Sequence, residues 1–219
     1  MFQVKICGVT RPEDARIAAE AGADAIGLNF YPGSPRHVSI AAAAAIVAEL
    51  PRHVRRVGVF VNTVEDEICR VFDQLQLDAV QLHGDEPPEF IQRLGGRPVL
   101  KAFRMDQSGL APVFQYLQDC RQIGCVPAMI LVEGPSGSAF GGTGQAADWK
   151  RIAAEREMLG DVPLVLAGGL RADNVTSAIA TVRPDAVDTA SGVESEPGIK
   201  DARLIDTFVR AAREAFAAS

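Results

Sequence analysis

The chain has 219 residues, 47% hydrophobic and 23% charged, with 28 acidic and 22 basic side chains for a formal charge of −6. That composition suits a globular chain with a sizeable core; the acidic balance argues against a nucleic-acid surface and leaves an anionic ligand dependent on local donors. No apolar run reaches the eighteen residues of a membrane span, and the opening MFQVKICGVTRPEDA lacks the segments of a secretory signal.

The four cysteines at 7, 69, 120 and 125 form no paired CxxC motif. The expectation is therefore a cytoplasmic protein with free thiols, no structural zinc and no membrane partner.

Short apolar runs alternate with helical patterns along the whole chain. Strands are expected at 4–8, 25–30, 57–62, 79–84, 99–103, 129–134, 164–169 and 186–191. Helices are expected at 12–22, 39–50, 64–75, 88–94, 110–122, 147–159, 173–181 and 201–217. Eight strands, each followed by a helix, define an α/β chain with a parallel sheet. The tetrapeptides DAIG (24–27), DAVQ (78–81) and DAVD (185–188) each open a strand. Their separations are near two and four units of about 27 residues, as a closed barrel of eight units requires. No linker-like segment divides residues 1–219, so the reading is a single (β/α)8 TIM-barrel domain.

Side chains alternate between strand faces. Val4 and Ile6 oppose Lys5 and Cys7; Ile26, Leu28 and Phe30 oppose Gly27 and Asn29; Val80 and Leu82 oppose Gln81 and His83. In the third strand Val57, Val59 and Val61 oppose Gly58, Phe60 and Asn62. Assigning each aliphatic face to the helices sends the smaller or more polar face into the barrel. The carboxyl-end mouth then gathers Cys7, Asn29, Asn62, His83, Glu133 and Asp188, where barrel enzymes carry their sites.

LAGGLRADNV (166–175) runs a strand into two glycines and a helix expected to begin near Asp173, and TASGVES (189–195) ends the next strand in small residues. Glycines permit close backbone approach and a helix start offers free N–H groups. Loops after strands seven and eight are where barrels bind phosphate, so Gly168, Gly169, Ser191 and Gly192 are candidate phosphate ligands. SAFGGTGQAADW (138–149) fits neither a P-loop nor a dinucleotide fingerprint and is read as a loop covering the site.

Position alone leaves Cys7 open between an inert core thiol and a base activated by a fall in its pKa. Glu133, at an apolar strand end, is either a salt-bridged carboxylate or an acid with a raised pKa. Asp188 within a strand requires a partner, structural or a ligand hydroxyl. The Arg36 fork suits a carboxylate. His83 is open between a ligand contact and a hydrogen-bonded barrel histidine.

Seven stretches, in order and with natural spacing, resemble the phosphoribosylanthranilate isomerase family: VKICGVTRPEDA (4–15), GADAIGLNFYPGSPRHVS (22–39), RVGVFVN (56–62), VQLHGDE (80–86), GGTGQAADW (141–149), VLAGGLRADNV (165–175) and AVDTASGVE (186–194). The resemblance implies an intramolecular Amadori rearrangement of an aminoaldose to an aminoketose in tryptophan biosynthesis, without cofactor or metal. It implies a cysteine base at Cys7, a carboxylic acid after the sixth strand at Glu133, Arg36 at the anthranilate end, Asp188 on sugar hydroxyls, and phosphate on Gly168, Gly169, Ser191 and Gly192. His83 joins the substrate contacts. The family usually carries Asp where this chain has Glu133. The implied partner is a small phosphoribosyl molecule, with the chain a monomer or homodimer. A phosphosugar-binding barrel without turnover, or a related phosphosugar barrel enzyme, is the alternative.

Overall fold

Strands buried on both faces pair in parallel when helices return the chain to the same edge each time. In the computed structural model, which describes residues 2–134 and 148–218, this happens eight times. The elements run β1 (Val4–Cys7), α1 (Pro12–Glu20), β2 (Ala25–Asn29), α2 (Ile40–Ala48), β3 (Arg55–Phe60), α3 (Glu65–Leu75), β4 (Ala79–Leu82), α4 (Pro88–Arg93), β5 (Val99–Arg104) and α5 (Ala111–Gln122). They continue through β6 (Met129–Glu133), α6 (Trp149–Glu155), β7 (Leu164–Leu166), α7 (Val175–Val182), β8 (Ala186–Thr189) and α8 (Ala202–Ala217). Strands β1 to β8 hydrogen-bond in sequence order and β8 closes on β1. The (β/α)8 barrel expected from the sequence is the fold.

Two apolar layers result. Phe2, Ala25, Val57, Leu100, Ala102, Met129, Leu131, Val165, Ala167 and Ala186 fill the barrel. A larger shell, including Val4, Ile6, Ile26, Leu28, Phe60, Val80 and Leu82, packs the outer strand faces on the helices.

The inside–outside assignment holds for β1, β2 and β4 and is reversed for β3. Val57 lies in the barrel interior, Val59 and Val61 line the mouth, and Phe60 stacks on Phe30 in the outer shell with ring centroids 5.1 Å apart. The ladder explains the inversion. Partners on a parallel rung face the same way, and β3 pairs Val57 with Gly27 and Val59 with both Asn29 and Gln81. Because both faces of a barrel strand are buried, side-chain size alone does not choose between them. Asn62 consequently leaves the expected mouth: it sits at φ 50° and bonds the loop after β4, its N–H to Glu86 Oε1 at 2.8 Å and its Oδ1 accepting from Asp85 N at 2.8 Å.

The DA tetrapeptides have one structural job. Asp24, Asp78 and Asp185 each donate their N–H to the carbonyl of the residue opening the preceding strand region, Val4, Arg56 and Leu164, at 2.8–2.9 Å. Each carboxylate then accepts the N–H of that same residue, at 2.9, 2.8 and 2.7 Å. This reciprocal clamp pairs backbone groups at the amino-terminal rim, where the ladder runs out. At the corresponding place before β6, Ala128 N–H bonds Val99 O at 2.9 Å and no carboxylate follows.

One element escaped the sequence reading. Residues Glu194–Glu196 (β9) and Ile199–Lys200 (β10) form a small antiparallel hairpin between β8 and α8.

Candidate active site

Cys7 is the last residue of β1 and faces inward across from Gly27; a Cβ at Gly27 would stand 2.6 Å from Cys7 Sγ, so the glycine makes room for the thiol. Two residues earlier on the same face, Lys5 is wholly buried, and its Nζ donates to Asp188 Oδ1 at 2.9 Å. Lys5 and Asp188 are rung partners between β1 and β8. Asp188 thus has the partner that its burial demands, a structural one. Burial works to lower the Lys5 pKa, but Asp188 and Cys7 overcome it and leave the ammonium above its ordinary value. For Cys7 the balance goes the other way: burial pushes the thiol up, and the cations of Lys5 and Lys200 only partly offset it. Of the two readings that position left open, the raised value in the free protein goes with a buried thiol.

Glu133 closes β6 on the opposite wall. Its Oε1 accepts from His83 Nε2 at 3.1 Å and from Arg104 Nε at 3.3 Å. Arg104 ends β5 and is the rung partner of Glu133. Oε2 has no hydrogen bond among the described residues, which leaves it as the oxygen open to a ligand. Of the two readings open from sequence, the salt-bridged carboxylate is the one found, although burial alone would raise this carboxyl. The hydrogen bonds from His83 and Arg104 and the positive charge of Arg104 outweigh burial and hold Glu133 below the usual carboxylate range. Gln81 fixes the ring behind it: its Nε2 lies 2.8 Å from His83 Nδ1. With that amide as donor, the ring proton sits on Nε2 and points at Glu133. Gln81 Oε1 is buried with no hydrogen-bond partner among the described residues.

Arg36, in the loop after β2, is already engaged. Its Nε and Nη2 grip Glu194 Oε1 and Oε2 at 2.8 and 2.7 Å, so the fork expected to hold a ligand carboxylate is occupied by a protein carboxylate. Glu194 Oε1 also accepts from Lys200 Nζ at 2.8 Å, and Lys200 donates further to Cys7 O at 2.6 Å and Ala190 O at 3.0 Å. Burial lowers the Lys200 pKa against the pull of Glu194. Asn29 shapes the same loop, its Oδ1 accepting from Tyr31 N at 2.9 Å and its Nδ2 donating to Ser34 Oγ at 3.1 Å.

On the remaining side, β7 stops at Leu166 because Gly168 and Gly169 adopt φ 84° and 67°. The helix α7 begins only at Val175, later than expected, after a turn in which Asn174 Nδ2 donates to Gly169 O at 2.9 Å. The N–H groups that face no acceptor at this place belong to the loop, before the start of α7. After β8, Ser191–Val193 form a single 3-10 turn. The N–H groups of Gly168, Gly169, Ser191 and Gly192 donate to no acceptor among the described residues. Gly192 locks the two loops together: a Cβ there would lie 1.9 Å from Leu170 O.

One open cleft collects Cys7, Arg36, His83, Glu133, Asp188, Gly168, Gly169 and Ser191, together with Asn29 and Gln81. Of the expected site residues only Gly192 stands just behind the lining. Five charged or polar contributors were missed: Lys5, Gln81, Arg104, Glu194 and Lys200. A lysine two residues before Cys7 in an apolar strand was the signal for Lys5, and the end of the GVE match was the signal for Glu194. Nothing local marks Lys200. The loop expected to cover the site, 138–149, lies outside the described residues apart from Asp148 and Trp149, which cap and open α6. No metal-binding group of three or more His, Cys, Asp or Glu occurs among the described residues.

Fold and cleft together define the class as a (β/α)8 barrel with a small-molecule cleft at the carboxyl ends of its strands, the place where barrel enzymes work. Residues 4–211 match the family described as N-(5'phosphoribosyl)anthranilate (PRA) isomerase. The chain is 47% identical to an N-(5'-phosphoribosyl)anthranilate isomerase of Geobacter sulfurreducens, covering 97% of this chain and 99% of the relative. It is 46% identical to that of Azotobacter vinelandii, over 96% and 97%. The crystal structure of phosphoribosyl anthranilate isomerase from Thermotoga maritima superimposes with a TM-score of 0.87 at 41% identity, covering 98% of this chain and all of the other. A further structure, of phosphoribosyl anthranilate isomerase in complex with reduced 1-(o-carboxyphenylamino)-1-deoxyribulose 5-phosphate, superimposes with a TM-score of 0.83 at 41% identity over 98% and 100%. The chain belongs to the N-(5'-phosphoribosyl)anthranilate isomerase family and is an isomerase.

Proposed function

We propose that the chain converts N-(5'-phosphoribosyl)anthranilate to 1-(2-carboxyphenylamino)-1-deoxyribulose 5-phosphate by an Amadori rearrangement, with Cys7 as base and Glu133 as acid. The observation that carries this reading is that one cleft holds both groups together with Arg36 and loop N–H donors left without acceptors among the described residues. Glu133 donates a proton from Oε2 to the ring oxygen, the ring opens, and the substrate nitrogen becomes an iminium. Cys7 Sγ then takes the proton from C2, the electron pair moves into C1–C2, and the nitrogen is neutralised. The enaminol tautomerises to the ketone. The substrate's own nitrogen is the electron sink, so positioning and one acid and one base suffice.

Phosphate is held by the N–H groups of Gly168, Gly169, Ser191 and Gly192, which satisfies donors that otherwise lack acceptors. Asp188, held at Oδ1 by Lys5, offers Oδ2 to sugar hydroxyls. His83 reaches the substrate through Glu133, since Gln81 and Glu133 occupy both ring nitrogens. Free thiols suit a reducing cytoplasm.

The test is turnover of the synthetic substrate, followed by loss of its anthranilate-type fluorescence. Wild-type protein is expected to consume it at a rate unchanged by EDTA, and Cys7→Ala and Glu133→Gln to slow it by about 10²–10⁴. Binding without turnover would make the chain a phosphosugar-binding barrel instead.

A further inference from the structure

Neither Glu194 nor Lys200 lines the cleft, yet their side chains are 4% and 0% exposed. Burying ions costs several kcal/mol each, and an apolar substitute is often no less stable, so a buried ion cluster calls for another reason to exist. Its connections supply one. Lys200 spends its three protons on Cys7 O, Ala190 O and Glu194 Oε1. Glu194 in turn takes the Nε and Nη2 edge of Arg36. Arg36 keeps Nη1 without a hydrogen bond among the described residues, and Arg36 lines the cleft. The cluster carries one net positive charge and joins the strand end bearing the thiol to the loop bearing the arginine.

We propose that Lys200 and Glu194 are positioning residues for the isomerisation: through one buried ion cluster they hold the Cys7 backbone in place and turn Arg36 so that its Nη1 edge meets the ligand carboxylate. The β9–β10 hairpin exists to deliver both side chains to this point. The inference rests on the reading of Cys7 as base and Arg36 as carboxylate anchor. Charges facing Cys7 come from its own strand (Lys5), from β8 (Asp188), from β10 (Lys200) and from the loop after β2 (Arg36). Lys5, Lys200 and Arg36 favour the thiolate; Asp188 opposes it, and Glu194 attenuates Lys200 and Arg36.

The experiment measures carboxamidomethylation of Cys7 by iodoacetamide against pH, read by mass spectrometry on the Cys7 peptide, beside KM, kcat and the thermal midpoint. Lys200→Met is expected to move the alkylation midpoint up by about one pH unit and to lower kcat about tenfold. Glu194→Gln, which conserves shape, is expected to move the midpoint down. It should also raise KM for the anthranilate-derived substrate about tenfold, while leaving KM unchanged for an analogue made from aniline, which lacks the carboxylate. Lys200→Arg keeps the charge and should stay within a fewfold of wild type; with Glu194→Gln it carries the test if Lys200→Met does not fold. Alkylation profiles that stay put or move the same way in both neutralised variants, with only the thermal midpoint falling, would overturn the proposal. So would an equal KM rise for both substrates. Retained turnover in Cys7→Ala would instead remove the base assignment, and the alkylation profiles would still decide whether the cluster acts on the thiol.

Discussion

At the scale of single residues, the free protein stores its protons in the opposite order from the one the reaction uses. Cys7 is held as thiol by burial, and Glu133 as carboxylate by His83 and Arg104. The productive form, thiolate with carboxylic acid, is a minor species. Its fraction is constant between the two pKa values, because each gain in thiolate with rising pH is matched by an equal loss of carboxylic acid. The expected kcat/KM profile is thus a plateau, falling on the acid side below the ordinary carboxylate value and on the alkaline side above the ordinary thiol value. Arg104→Met, by removing a cation from Glu133, should move the acid limb to higher pH. A narrow bell centred on the ordinary values would contradict this ordering. Loss of either partner in Cys7→Ser or Glu133→Gln should cost about 10²–10⁴ in kcat, the usual worth of a positioned acid or base, measurable in single-turnover fluorescence.

At the scale of elements, the repeated DA tetrapeptide is a structural device rather than part of the site. Asp24, Asp78 and Asp185 clamp the amino-terminal rim, far from the carboxyl-end cleft. Asp24 also accepts from Gln3 N at 2.9 Å and pairs with Arg213 of α8. Although burial opposes it, these bonds leave the Asp24 pKa lowered. A carboxylate with a lowered folded pKa stabilises the fold fully above its unfolded value, and that contribution fades as pH falls through the folded value. Asp24→Asn should therefore destabilise by about 1–2 kcal/mol at neutral pH and by less at pH 3, as urea titrations at the two pH values would reveal. The converse change, Ala128→Asp, adds the missing fourth clamp before β6 and should raise the thermal midpoint without altering kcat. A fall in the midpoint would mean that the clamp needs more than a carboxylate at that position.

At the scale of the whole molecule, ligand binding and stability are linked through the two glycine loops. Unpaired N–H groups of β7 and β8 loops are satisfied by an anion only in the folded barrel, so inorganic phosphate should raise the thermal midpoint. Saturation at a hundredfold over Kd corresponds to about 2.7 kcal/mol. Gly192→Ala, which drives a methyl against Leu170 O, should abolish most of that phosphate-dependent rise while α8 and the barrel still unfold cooperatively. Calorimetry with and without phosphate measures both; an undiminished rise would remove these loops from the phosphate site.

Eight apolar runs at regular spacing were enough to specify a closed parallel barrel, because period and length set how strands and helices alternate. They also located Cys7, His83, Glu133 and Asp188 at strand ends, and Gly168, Gly169 and Ser191 in the loops beyond. Protonation and partnership belonged to the tertiary structure alone. Lys5 meets Asp188 across 183 residues and Lys200 meets Cys7 across 193, and pKa values follow such neighbours rather than local sequence. The facing of β3 was settled by its ladder with β2 and β4, since a strand buried on both sides carries no polar face to declare its orientation.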